Sequence, residues 1–407
     1  MTSSALIPNN KNQSNLVLYR SVFLVSFPFF ILELLLPIYG KDIGASVIQI
    51  GLFFSAFSIM TVVLRPVIGW AVDHYGRRFF VISGLVCYTT AMAGFAFVDQ
   101  VAGVVVARII QGIASSLFWL SANAMIADTA DETERGQAFG KLAESSAQGS
   151  IAGTFVGFTL LNLPFILMLG SIQVRNWTIL FGSYALVSLL AVIIALHQLP
   201  ETRPVQRQVA LNPIRWTRPW ILLLLITLVT GASWAMVTPV MVIFLQDHLN
   251  VEISVLSRAF LPAGLVWAIL PSRLGGLADR FGRKPLMLVG LGMAALSSLM
   301  IPQLTTIIGL SLLWALQALC YAAGDPAEQA LVADLTGGDQ RGRAYGLYVM
   351  AADLGAAFGP FIGAWLYQTI GPQMPFYANG LMLAICAFVI AAFLQLPAGR
   401  QPETSLP

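Results

Sequence analysis

Apolar stretches of about twenty residues or more recur roughly every 30 residues along this 407-residue chain, each long enough to cross about 30 Å of hydrocarbon. The residues between them are too few and too weakly charged to coat a water-facing surface. Only 10% of the chain is Asp, Glu, Lys or Arg, against about 25% in soluble domains. With 57% hydrophobic residues and a mean hydropathy of +0.79, the chain has lipid as its solvent.

The apolar runs lie at about 17–39, 46–71, 80–98, 101–127, 139–165 and 177–198. After a polar link they continue at about 219–245, 253–277, 286–303, 305–333, 344–370 and 375–396. The expected fold is therefore an all-α polytopic membrane protein of twelve transmembrane helices in two six-helix bundles. Residues 1–199 form the first, 200–218 the link and 219–407 the second. The first run follows a polar tail without a small-residue cleavage site and is read as an uncleaved span.

Basic residues set the orientation. Arg203, Arg207, Arg215 and Arg218 stand in the link among four prolines. Arg77, Arg78, Arg135, Lys141, Arg280, Arg283, Lys284, Arg341 and Arg343 occupy alternate loops on the same side, while the other side carries chiefly Lys41, Arg175 and Arg258. Cationic loops stay in the cytoplasm, so both termini and the link are expected inside, in a multi-pass cell membrane protein. The net charge of +3 is thus topogenic and implies no nucleic-acid partner. Cys87, Cys320 and Cys386 are odd in number, lie in apolar stretches and have no ligand spacing; they read as packing residues.

The two halves repeat one another. Asp73 and Asp279 are 279 − 73 = 206 residues apart, and the same offset pairs Gly69 with Gly275, Gly76 with Gly282, Arg77 with Arg283, Gly84 with Gly290 and Gln111 with Gln317. It continues through Asp128 and Asp334, Arg135 and Arg341, and the glycines 149, 153 and 157 with 355, 359 and 363. An even number of spans separates the copies, so the repeats are parallel.

The repeated loops have a physical logic of their own. Gly69 and Gly275 remove a side chain where two helices approach closely, and Gly76 and Gly282 permit a tight turn. Asp73 and Asp279 can accept hydrogen bonds at a helix start or pair with arginines. Asp128 with Arg135, and Asp334 with Arg341, extend the charged cluster or serve topology alone. A purely topogenic loop is the alternative throughout.

These residues resemble the major facilitator superfamily. Gly69-Trp-Ala-Val-Asp73-His-Tyr-Gly76-Arg77-Arg78 is similar to the family's G-x-x-x-D-x-x-G-R-[RK] signature. Gly275-Gly-Leu-Ala-Asp279-Arg-Phe-Gly282-Arg283-Lys284 repeats it, and the likeness extends over nearly the whole chain. The resemblance implies parallel halves, an inner gate at these loops and a central cavity lined by helices 1, 4, 7 and 10. Gly149-x-x-x-Gly153-Thr154-x-x-Gly157 in helix 5 is similar to the family's antiporter element, with Thr154 where that element has proline. Helix 11 has the proline, as Gly355-x-x-x-Gly359-Pro360-x-x-Gly363. Both stretches read first as close-packing faces.

An ionisable residue in a span costs a few kcal/mol and is a functional candidate by default. In helix 4, Arg108, Gln111, Ser115, Trp119 and Asn123 share one face at three- and four-residue spacing. Helix 10 carries Trp314, Gln317, Tyr321, Asp325 and Glu328 on the matching stripe. Glu33 lies in helix 1 within Phe29-Phe-Ile-Leu-Glu33-Leu-Leu-Leu, without a local partner, and is the candidate proton carrier; a structural hydrogen bond is its alternative role. For Asp325 and Glu328 the alternative is a turn at Gly324-Asp325-Pro326. Trp119, Trp234 and Trp314 read as packing residues, with stacking against a substrate as the second use.

No phosphate-binding G-x-x-x-x-G-K-[ST] loop is present, and the three histidines lie at separate span ends, so neither a nucleotide, a metal nor another cofactor is expected. The expected function is secondary active transport, with proton-coupled export of a small amphipathic organic compound by alternating access. The export part of that expectation is implied by resemblance to drug/proton antiporters. A sugar or metabolite symporter or facilitator, a non-transporting sensor and an intramembrane enzyme are the alternatives. The implied partners are a small-molecule substrate, protons and the lipid bilayer, with a monomer expected.

Overall fold

The computed structural model describes residues 8–129, 135–162, 168–169, 172–173, 176–202, 216–251, 253–270, 281–335 and 341–394. The chain divides into two compact units, Met1–Val209 and Ala210–Pro407, with the division inside the basic link. The architecture is a twelve-helix, two-repeat membrane bundle. Ten of its spans, among the described residues, are long and apolar enough by themselves to cross a membrane.

In the first unit, α1 (Pro8–Val25) and α2 (Phe29–Asp42) make the first span together. The single helix expected over 17–39 is interrupted at Ser26–Phe27–Pro28, because Pro28 has no N–H to continue the ladder. The turn is closed by Phe27 N–H on Leu24 O (3.3 Å) and Phe29 N–H on Ser26 O (3.0 Å). Next come α3 (Val47–Tyr75), α4 (Arg78–Phe97), α5 (Val101–Thr129), α6 (Arg135–Asn162) and α7 (Asn176–Gln198). A capping box opens α3: Ser46 Oγ accepts from Gln49 N–H, and Gln49 Oε1 accepts from Ser46 N–H at 2.8 Å. The fifth span is described as far as Asn162, and its expected end at 165 lies outside the described residues. Beyond it two short strands, β1 (Met168–Leu169) and β2 (Ile172–Gln173), pair antiparallel with Met168 opposite Gln173.

The second unit contains α8 (Arg218–Leu249), α9 (Ile253–Ala259), α10 (Leu261–Ile269), α11 (Arg283–Met300), α12 (Ile307–Leu335), α13 (Arg341–Thr369) and α14 (Met374–Phe393). The continuous helix expected from 253 to 277 is broken at Phe260, just before Pro262, and its far end lies outside the described residues. Helix α12 runs through Gly324-Asp325-Pro326, so the turn weighed there does not form.

The 206-residue register is visible in three dimensions. Helix α5 shifted by 206 gives 307–335, the bounds of α12, and α6 shifted gives 341–368 against 341–369 for α13. The register slips only at the last span, where α14 begins 374 − 176 = 198 residues after α7. The link from α13 to α14 is shorter than that from α6 to α7.

Each bundle has its own core. Leu18, Val22, Val81, Leu85, Phe118, Met125, Ile126 and Val192 fill the first, where α1, α4, α5 and α7 meet. Trp220, Leu223, Met287, Leu331, Leu383 and Ile390 fill the second, between α8, α11, α12 and α14.

The glycines of the fifth and eleventh spans, on α6 and α13, do pack closely. A Cβ on Gly149 or Gly153 would run into the carbonyl oxygens of Phe23 and Phe27. On Gly355, Gly359 and Gly363 it would meet those of Leu228, Ala232 and Met236. In lipid, dispersion at such short helix separations drives association, since exclusion from water does not. Thr154, at the position of the antiporter proline, instead bonds back to Ser150 O at 2.7 Å.

Candidate functional site

Arg108 is almost fully enclosed, at 6% exposure. Its Nε donates to Phe53 O (2.9 Å) and Nη1 to Gln111 Oε1 (2.7 Å), while its Cζ lies 4.6 Å from the ring centre of Phe57 and 5.2 Å from that of Phe54. The spacing that placed Arg108 and Gln111 on one helix face therefore becomes a direct bond. Gly112 makes the rest possible. A Cβ there would sit 2.6 Å from Phe57 O and 2.7 Å from Met60 Cβ, so only glycine lets α3 bring the Phe53 carbonyl and the Phe57 ring to the guanidinium. Phe53, Phe54 and Phe57 are site residues that the sequence reading missed; their i, i+4 aromatic spacing opposite a buried arginine is the signal that was there.

Glu33 lies on α2 within electrostatic range of Arg108, so the carboxylate without a local partner has a cation from another helix. Glu33 keeps part of its surface exposed, whereas Arg108 is enclosed. Phe29, one turn before Glu33, packs 5.6 Å from Tyr88 and 6.1 Å from Trp119. Tyr88 is 1% exposed and packs edge to face on Phe118, with ring centres 6.2 Å apart. Trp119 is half-buried and Asn123 exposed, so the expected stripe runs from enclosed to open along α5.

In the second unit, Glu328 accepts a hydrogen bond from Thr227 Oγ1 (3.2 Å). Gln317 is half-buried, and Trp314 stacks on Phe260 with ring centres 4.0 Å apart, which is a packing role. The side chain of Asp325 lies outside the described residues. On α6, Glu144 is exposed and bonded by Gln148 Nε2 at 2.9 Å.

The loop between the second and third spans forms a compact charged cluster. Gly76 and Gly282 have φ of +98° and +83°, a region that side chains disfavour, and both supply the expected turn. Arg77 Nε bonds Asp128 Oδ2 at 2.9 Å and its Nη1 bonds Val72 O at 2.6 Å. Asp128 and Arg135 were expected to extend the charged cluster or to serve topology alone; the side chain of Arg135 lies outside the described residues, and Asp128 pairs with Arg77. Glu201 accepts from the N–H groups of Arg77 (2.7 Å) and Arg78 (3.3 Å), so a carboxylate just past α7 caps the start of α4. Sequence reasoning missed Glu201, although it is the one acidic residue in the link.

The helix contact expected at Gly69 is not made within its own unit: a Cβ there meets no atom of the described residues of that unit within 4 Å. The side chains of Asp73, Asp334 and Arg341, and all of Gly275 and Asp279, lie outside the described residues. Arg283 is half-buried at the start of α11. Beside it, Lys284 Nζ bonds the carbonyls of Ala391 and Leu394 (2.9 Å each), as Arg78 Nη2 bonds Leu196 O (2.7 Å) in the first unit.

Comparison with known proteins places this geometry. Over 374 residues the chain is 23% identical to the multi-drug resistance efflux pump PmrA of Streptococcus pneumoniae, covering 89% of this chain and 91% of the pump. It is 22% identical to multidrug resistance protein 1 of Bacillus subtilis, covering 92% and 95%. Among solved structures it resembles a bacterial homolog of the human lysosomal transporter Spinster (TM-score 0.77, 14% identity, 96% and 97% covered). It also resembles the human organic anion transporter MFSD10 (TM-score 0.68, 19% identity, 93% and 99% covered); at these identities the likeness is one of fold. The family model of the Major Facilitator Superfamily matches residues 18–272 and again 223–406, so the chain belongs to that superfamily of membrane transporters.

Proposed function

We propose that the protein exports a small amphipathic organic compound by alternating access, driven by protons that enter against it, with both termini and the link in the cytoplasm. The observation that carries the reading is the Glu33–Arg108 arrangement: a carboxylate inside a 28-residue apolar span, within electrostatic range of an arginine held by Phe53 O and Gln111. A coupled carrier needs a group whose protonation is linked to both substrate occupancy and conformation. Glu33 is the titratable group, and the held cation within electrostatic range of it links its charge to the position of α2 against α5.

Export rather than uptake is supported by the drug-efflux names of relatives that match about nine-tenths of the chain. The Gly69, Asp73, Gly76, Arg77 and Asp128 cluster, with its repeat at Gly275, Asp279, Gly282, Arg283 and Asp334, serves as the inner gate. Rupture of such contacts biases inward-open against outward-open states. The chain is a carrier and not an enzyme.

The test is flux in proteoliposomes carrying a pH gradient, using labelled lipophilic compounds. Uphill movement that collapses with the gradient supports the proposal. Substrate-dependent counterflow that ignores the gradient supports a facilitator, ligand binding without flux a sensor, and product formation an enzyme.

A further inference from the structure

In the second unit, α8 and α12 run antiparallel and two residue pairs join them. Trp234 and Tyr321 meet edge to face with ring centres 5.8 Å apart, and Thr227 Oγ1 bonds Glu328 Oε1. The second pair lies seven residues back on α8 (234 − 7 = 227) and seven forward on α12 (321 + 7 = 328). Seven residues is about two turns, so both pairs occupy one shared face, about 10 Å apart. Tyr321 is the midpoint of α12, (307 + 335)/2 = 321, and Trp234 is within a residue of the midpoint of α8, (218 + 249)/2 = 233.5. The aromatic pair therefore lies at mid-depth in both helices, where transporters of this architecture hold their cargo.

Two further observations separate this face from ordinary packing. Trp234 is 59% exposed, yet Glu328 and Thr230 lie on the same face, and a carboxylate does not favour hydrocarbon. The repeat does not demand the feature either. Subtracting 206 from Thr227, Trp234, Tyr321 and Glu328 gives Ser21, Pro28, Ser115 and Ala122, which offer neither an aromatic pair nor a carboxylate.

The geometry points to a substrate subsite on the α8–α12 face, with the Trp234–Tyr321 pair taking an aromatic ring and the Thr227–Glu328 pair taking a protonated amine about 10 Å farther along. The inference rests on the transporter reading and gives it a substrate class, the arylalkyl amines. The open Trp234 face supplies stacking area, and Thr227 fixes the carboxylate that accepts the ammonium hydrogens.

The test is equilibrium binding of phenylalkylamines of increasing chain length to the full chain in lipid nanodiscs, without any gradient. Affinity should peak where the ring-to-nitrogen span is about 10 Å, and the matching phenylalkanols should lose that peak. Trp234→Ala should weaken the peak compound about tenfold, and Trp234→Phe should recover most of the loss. Glu328→Gln should erase the preference for amine over alcohol while keeping the contribution of the ring. Absence of binding, a series without a maximum, or wild-type affinities in Trp234→Ala overturn the subsite. Because no gradient is applied, a protein that fails to couple to protons in the flux assay still reports on this proposal.

Discussion

Arg77 Nε and Asp128 Oδ2 lie 2.9 Å apart, tying the N-cap of α4 to the last turn of α5, with side chains only 5% and 18% exposed. The same arginine holds Val72 O through Nη1, and its backbone N–H is capped by Glu201. One residue thus joins the ends of α3, α4 and α5 to the segment after α7. A loop that composition alone explains as topogenic is, within the first unit, an assembled structural joint.

Asp128→Asn should lower the thermal midpoint of the protein in detergent, because it leaves a nearly enclosed guanidinium short of its anion. The expected cost is about 1–3 kcal/mol. Glu201→Gln should cost less, since Glu201 is exposed and an amide oxygen can still accept from the Arg77 N–H. A thermal-shift series in which Asp128→Asn matches the parent protein would show the pair to be energetically idle.

Glu33→Gln should abolish uphill flux driven by a pH gradient yet retain substrate exchange, which needs no net proton movement. Arg108→Ala should damage both, because it also unseats Gln111 and leaves the Phe53 carbonyl without its donor. Gradient-driven flux and exchange measured in the same vesicles decide the matter. Undiminished uphill flux in Glu33→Gln removes it from the proton path.

Leucine at Gly153 or Gly359 should deplete folded protein in the membrane, since even a Cβ collides with the Phe27 or Ala232 backbone oxygen, and overpacking of this kind costs about 1–3 kcal/mol or more. Gly69→Leu should insert and fold normally, having open space around it in its own unit, while losing transport. Quantitative immunoblots of membrane fractions, set beside flux, distinguish these outcomes. Normal flux in Gly69→Leu would remove it from the gate.

Single cysteines introduced between residues 200 and 218 should react with an impermeant maleimide only in everted vesicles. Labelling of intact cells at these positions would invert the proposed orientation.

The sequence by itself determined how many spans there are, where most of them start and stop, and that they repeat. Hydrocarbon thickness sets a span length, and a duplicated chain keeps its register, so α5 and α12 could be aligned residue for residue without coordinates. It also named Arg108, Gln111 and Glu33, because polar atoms in lipid are conspicuous. The partners were decided only in three dimensions. Helical spacing shows which residues share a face but not what lies opposite: the Phe53 carbonyl and the Phe57 ring reach Arg108 across 55 and 108 − 57 = 51 residues of chain, and Glu201 reaches Arg77 across 124. The interruption at Ser26–Pro28 was likewise beyond periodicity: hydropathy averages over a proline, whereas the missing N–H changes the backbone at that one point. Glycines show the same division. Their i, i+4 spacing marked a packing face, but only the position of the neighbouring carbonyls showed that Gly153 and Gly359 are filled to contact while Gly69 is open within its own unit.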